Sequence, residues 1–159
     1  MIVKTKKYAL DKKAYRRAGM RNIIREQWWI FIIAAAISAM AFVIPSNWWW
    51  IGALIALSLY LLFWLIQFAG VTQLEQSKQL FEKLSYEINS QQILIKITTK
   101  QGMPMKWDQI KYAWMDKKQF VLVVSKAQLM LFPFDVFKTH NEVKFVETIL
   151  KRKGLIKEK

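Results

Sequence analysis

His140 is the only histidine in this chain, standing between Thr139 and Asn141 with Asp135 and Glu142 as its nearest carboxylates in sequence. An imidazole can serve as a base or hold a metal, but either role needs partners converging on it. A lone histidine in a polar stretch ahead of a helix reads as a solvated side chain. The chain has no cysteine, which removes thiol catalysis, thiolate metal sites and disulfides. Its five glycines, Gly19, Gly52, Gly70, Gly102 and Gly154, lie far apart, so no glycine loop can cradle a phosphate. Asp108, Asp116 and Asp135 invite a paired-carboxylate reading, yet each falls where a turn is expected. No nucleophilic triad or metal cluster has its spacing here. The sequence therefore predicts no enzyme, no cofactor and no metal.

What remains is basic charge placed among aromatic rings. Lys13, Arg17, Arg21 and Arg25 follow one another at i,i+4, so a helix there presents a basic stripe to anionic headgroups. Each such residue at an anionic surface contributes ~1 kcal/mol. The same charges also serve plain topology determination. A second grouping sets Trp107, Tyr112, Trp114 and Phe120 beside Lys106, Lys111, Lys117 and Lys118. It has three readings. The rings can be core with the lysines on the outer face, the surface can meet anionic lipid, or the rings can stack on single-stranded nucleic acid. Tethering to a membrane and the lack of an arginine-rich motif argue against nucleic acid.

The tether is legible in the distribution of charge. With 25 Lys+Arg against 11 Asp+Glu the net charge is +14, yet the 48 positions between Glu26 and Glu75 carry no charge at all. Within that interval Trp28 to Ile44 is apolar except for Ser38, and Trp48 to Ala69 is interrupted only by Ser58, Tyr60 and Gln67. A membrane-crossing helix needs about 17–25 such residues. Pro45-Ser46-Asn47 supplies a tight turn between them. The expectation is a transmembrane hairpin, helices 28–44 and 48–69, with Trp28, Trp29, Trp48, Trp49, Trp50, Trp64 and Phe68 in interfacial belts. Small residues at helix-packing spacing, Ala35 with Ala39, Ala34 with Ser38 and Gly52 with Ala56, either seal the hairpin or mediate oligomers. Sealing the hairpin is the simpler reading. Nine basic residues against Asp11 and Glu26 precede Trp28, a net +7, and the turn has none. The positive-inside rule then places both termini in the cytoplasm.

Beyond Gly70 a helical connector (70–85) is expected to leave the membrane. From Tyr86 the apolar period becomes two, with Ile93, Ile95 and Ile97 alternating, then Met103, Met105 and Trp107, then Ile110, Tyr112 and Trp114. The unbroken run Phe120 to Val124 reads as a central strand, and Gln128 to Phe132 as the last before Pro133. A final helix from about Glu142 to Lys153 takes Asn141 as N-cap and Gly154 as its stop. Tyr86–Asn89 adds a strand, and Ile2 to Tyr8 supplies a seventh if the hairpin returns to the same face. This predicts an α+β membrane protein: a hairpin plus a small antiparallel β-domain, a pleckstrin-homology-like barrel, closed by a C-terminal helix. The units are a basic N-terminal segment (1–27), the hairpin (28–69), the connector and a β-rich domain (86–159).

Tyr86-Glu87-Ile88-Asn89, Met105-Lys106-Trp107-Asp108-Gln109-Ile110 and Leu129-Met130-Leu131-Phe132-Pro133-Phe134-Asp135-Val136-Phe137 resemble the YcxB-like family of bacterial membrane proteins. One departure is Phe134, where a basic or polar residue is commoner in that pattern. The resemblance implies two transmembrane helices and a β-rich cytoplasmic domain, and carries no reaction with it. The expected function is a non-catalytic, membrane-tethered interaction or scaffolding module that meets anionic lipid headgroups or a protein partner, a homo-oligomer among them. The alternative is an accessory subunit of a larger membrane complex.

Overall fold

The computed structural model describes residues 1–73, 81–97 and 102–156. Its strands are β1 (Val3–Lys4), β2 (Ser85–Ile88), β3 (Gln92–Lys96), β4 (Gly102–Lys106), β5 (Tyr112–Met115), β6 (Gln119–Val123) and β7 (Leu129–Pro133). Its helices are α1 (Lys12–Glu26), α2 (Trp29–Ala39), α3 (Trp48–Val71) and α4 (His140–Arg152). Two antiparallel sheets result, ordered β1-β2-β3-β4 and β5-β6-β7.

The first sheet obeys the period-two pattern. Ile93 and Ile95 are buried and stand opposite Met105 and Met103 of β4. β4 ends one residue short of the expected run: Trp107 opens a short 3-10 turn (Trp107–Gln109), and its indole N–H donates to the Asn89 carbonyl at 2.9 Å. The expected seventh strand is present as β1, with Val3 facing Ile88 and Lys4 facing Glu87. Thr5 extends the pairing with 2.9 Å bonds in both directions to the Tyr86 backbone, one through its hydroxyl. Lys4 and Lys96 flank Glu87 at 3.1 and 2.6 Å and hold its carboxyl below the usual range.

The two sheets do not close into a barrel. At one corner the Lys6 N–H donates to the Val136 carbonyl at 2.8 Å. At the other, the outer edge of β5 receives Leu155, whose carbonyl accepts from the Ala113 N–H at 2.9 Å. α4 sets Val143, Val146, Ile149 and Leu150 into the core between the sheets. It starts two residues before the expected Glu142. Thr139 caps it in place of Asn141, accepting from the Glu142 N–H, while Glu142 accepts from the Lys138 N–H at 2.7 Å. Gly154 ends it with φ +67° and the Leu155 N–H reaching back to the Leu150 carbonyl, the left-handed stop that only glycine takes without strain.

The second sheet is buried on both faces, which is why its sequence runs apolar without alternation. Phe120, Leu122, Met130 and Phe132 point into the core shared with the first sheet. Val121, Val123, Leu129 and Leu131 point the other way, onto Tyr15, Ala18 and Ile23 of α1 and Phe68 of α3. The N-terminal segment is therefore no separate unit: it supplies both an edge strand and a covering helix to the β-rich body. Tyr8 and Tyr15 fasten it further, their hydroxyls donating to the carbonyls of Leu131 and Ala127 at 2.6 Å.

α2 and α3 form an antiparallel apolar pair. α3, at 24 residues, is long and apolar enough to cross a membrane. α2 is shorter than the expected 28–44 helix: its α-helical part stops at Ala39 and continues as a 3-10 turn through Phe42, and it meets α1 at 62°. The bend at Gln27 is held by the Tyr60 hydroxyl of α3, which donates to the Gln27 side-chain carbonyl. α3 continues past that level to Phe68, where α1 crosses it at Gly19. Of the expected helical connector (70–85), residues 74–80 lie outside the described residues; Gly70 and Val71 end α3, while Leu84 already bridges Tyr8 and Ser85 opens β2, so the helix does not reach 85.

Candidate functional site

α1 buries Tyr15, Ala18, Gly19, Asn22 and Ile23, an i, i+3, i+4, i+7, i+8 set that turns one face to the second sheet. The opposite face then carries Lys13, Arg17, Arg21 and Arg25, all exposed. The basic stripe exists, and it is built on a helix whose other side is locked into the protein.

From that stripe Arg21 reaches across to the second sheet. Its guanidinium meets the Asp116 carboxylate at 2.8 Å and lies over the Trp114 ring at 5.2 Å. Asp116 also accepts from the Lys117 N–H at 2.9 Å, so the β5–β6 turn bearing Lys117 and Lys118 is pinned beside α1. A surface pair of this kind is worth about 0–1 kcal/mol and sets position more than stability. Lys111, just before β5, is exposed and lies on the same side. Lys106 is not brought to this cluster: it ends β4 in the other sheet, opposite Gln92.

Between α1, β5 and the turn after α4 runs an open groove of about 1150 Å³. Arg21, Arg25, Lys111 and Lys151 line it against Glu26 and Glu147, with Lys151 and Glu147 paired at 3.1 Å. Tyr112 and Trp114, two apart on β5, share the face toward α1. Tyr112 donates to Asn22 Oδ1 at 3.0 Å, which leaves the amide nitrogen as the free end of that side chain. Burial pushes the Tyr112 phenol up, and Glu26 adds to this while the Asn22 bond and Arg25 oppose it. The phenol stays a donor at neutral pH. Asn22 is 1% exposed and Trp114 7%, and Asn22 Nδ2 and Trp114 Nε1 are both buried N–H donors without a hydrogen-bond partner. Asn22 was not singled out in the sequence, although its place in the buried spacing of α1 marks it as a polar group on an inward face.

Of the aromatic set, Trp107 and Phe120 are core, at 2% and 0% exposure, and Trp114 is covered by Arg21. The reading of rings inside and lysines outside holds for these residues, and these three offer no open stacking platform. His140 is exposed at the first position of α4. Among the described residues no three His, Asp or Glu side chains come together as a metal site.

On the hairpin, Ala34 and Ser38 are half-buried and Ala53 is buried at the seam between α2 and α3. Ala35, Ala39, Gly52 and Ala56 are exposed instead, and a Cβ added at Gly52 would meet nothing within 4 Å. Of the expected packing pairs only Ala34 with Ser38 seals the hairpin. The others face outward because the seam follows Ala53 and Leu57 rather than Gly52 and Ala56.

No protein-family model, curated protein or solved structure matches this chain.

Proposed function

We propose that this is a non-catalytic protein of a bacterial inner membrane. Its apolar hairpin tethers a pleckstrin-homology-like body, and the α1–β5 surface of that body meets anionic headgroups. The observation that carries the reading is the fusion of α1 to both parts. One face completes the core of the second sheet, Gly19 seats on Phe68 of the apolar helix, and the third side is the basic stripe. A basic helix fixed rigidly at the base of a hairpin lies where anionic lipid lies. Leu54, Leu59, Phe63 and Ile66 of α3 are all more than half exposed, an apolar surface suited to lipid and unsuited to water. β1 and β2, before and after the hairpin, pair with each other, which supports both termini on one side. The likeness to the YcxB-like family fits this arrangement. A second reading, an accessory subunit of a larger membrane complex, draws on the outward-facing Ala35, Ala39, Gly52 and Ala56.

The chain has no cysteine, so single cysteines report topology without background. Ser46→Cys is expected to react with an impermeant maleimide from outside intact cells, and Lys138→Cys only after lysis. Labelling of both from outside, or of neither, would overturn the hairpin.

Headgroup contact is tested on the full chain in nanodiscs of phosphatidylcholine with and without phosphatidylglycerol. Amide exchange of α1 and of the segment 111–118 is expected to slow several-fold in the anionic discs, and high salt should abolish the difference. Equal exchange in both discs at low salt would remove the lipid-facing role.

A further inference from the structure

Resting on the headgroup-facing reading, we infer that the groove between α1 and β5 is a discrete site for the phosphate of one anionic phospholipid. Its basic residues alone would attract any anion diffusely. The floor is different. Asn22 Nδ2 and Trp114 Nε1 are unpaired N–H donors in nearly buried side chains that both line this groove. A buried donor left unpaired is a standing cost that a native structure removes when it can. Both donor atoms are enclosed while Arg21 lies over Trp114; with Arg21 turned aside, a phosphodiester, acceptor-only and anionic, reaches both while facing Arg25 and Lys111. Glu26 is the groove carboxylate beside Arg25. With Glu147 paired to Lys151, it offsets part of the groove's positive charge, so donor geometry acts beside charge in what binds.

The neighbouring elements select a lipid over a free anion. One end of the groove is formed by Ile24, Arg25 and Glu26, and α2 starts at Trp29, three residues further on. Ile24 is 43% exposed and Trp28 61%, so an acyl chain leaving the phosphate passes directly onto apolar surface at the foot of the hairpin. Met115 and Leu155 line the groove as well and would meet the glycerol portion. Arg21 lies over the Trp114 ring with a side chain 60% exposed, held by a surface pair with Asp116. It is the part of the cover that can turn toward a bound phosphate.

The test uses the full chain in a neutral detergent, isotopically labelled at tryptophan and asparagine. It is titrated with dihexanoyl phosphatidylglycerol, dihexanoyl phosphatidylcholine and inorganic phosphate. Phosphatidylglycerol is expected to move the Trp114 indole and Asn22 side-chain resonances saturably, and the other two are expected to leave them in place. Arg25→Gln and Lys111→Gln should each weaken that binding about five-fold, and Lys106→Gln, in the other sheet, should not. Trp114→Phe removes the indole N–H together with the five-membered ring. It should weaken binding as read at the Asn22 side-chain resonance, and a folded variant whose Asn22 resonance still titrates like the wild type would overturn the donor's role. If Lys106→Gln weakens binding as much as Lys111→Gln, attraction is diffuse and the site falls while headgroup contact survives. Equal shifts with inorganic phosphate would make it a free-anion site and overturn the lipid. No shift with any probe overturns the site, and the nanodisc exchange then decides separately whether headgroup contact goes with it.

Discussion

Gly19→Ala is expected to lower the stability of the full chain by about 1–3 kcal/mol, although alanine is the better helix former by about 1 kcal/mol. The sign is decided at one contact. A Cβ at position 19 would stand 2.5, 2.6 and 2.7 Å from three ring carbons of Phe68, closer than real side chains approach. Phe68 cannot step aside easily. It is fully buried, with the Tyr15 ring edge-on at 6.2 Å and the Trp64 ring at 6.0 Å. The added methyl must therefore push α1 off α3 and loosen its seat on Val121, Val123, Leu129 and Leu131. Gly19→Leu should go further and separate α1 from the body. Thermal unfolding in detergent, with limited proteolysis within α1, reads both. The double variant Gly19→Ala with Phe68→Leu should recover part of the loss, because leucine vacates the ring positions. Additive losses, or a gain from Gly19→Ala alone, would show that α1 and α3 do not meet as described.

The second large effect concerns the β-rich segment by itself. A fragment of residues 85–159 contains β2 to β7 and α4, and the sequence alone presents 86–159 as a domain. It is expected not to fold. Removing the first 84 residues strips β1 from the edge of β2 and uncovers Val121, Val123, Leu129 and Leu131, none more than 2% exposed in the intact chain. Losing the burial of Ile23 and Phe68 alone forfeits about 1.5–3 kcal/mol each, with Tyr15 of the same order. Small domains hold only about 5–15 kcal/mol in total. The fragment should give poorly dispersed amide resonances and aggregate through the outer face of the second sheet. Adding residues 1–26 in trans should rescue it in part. A cooperative unfolding transition from the fragment alone would show that the second core is dispensable.

The strand pattern was legible because period and burial agree. β2, β3, β5, β6 and β7 lie within a residue or two of where alternation and turn residues place them. The two exceptions are informative. Trp107 continues the alternation of Met103 and Met105, yet it leaves the strand because its indole is drawn to the Asn89 carbonyl. α2 looks as long as its apolar run, but composition does not distinguish an α-helical turn from the 3-10 turn at Met40–Phe42. The basic stripe on α1 was visible by spacing. Its buried counterpart, Tyr15, Ala18, Gly19, Asn22 and Ile23, has the same helical period but mixes polar and small residues that no hydrophobic pattern selects.

By itself the sequence determined the uncharged interval, the net positive charge and six strands with their terminal helix. These depend on local composition and short periods, which neighbouring residues impose on one another. Only the tertiary structure decided that α1 belongs to the β-rich body and seats on α3. It also turned Gly52 and Ala56 outward, and set Asn22 and Trp114 on one groove floor beneath Arg21. Each of those pairings joins residues dozens of positions apart, Arg21 with Asp116 across 95. Such contacts arise from which apolar faces meet: the hairpin returns the β-rich chain to α1, and the outer side of the second sheet is then covered by α1 and Phe68 of α3.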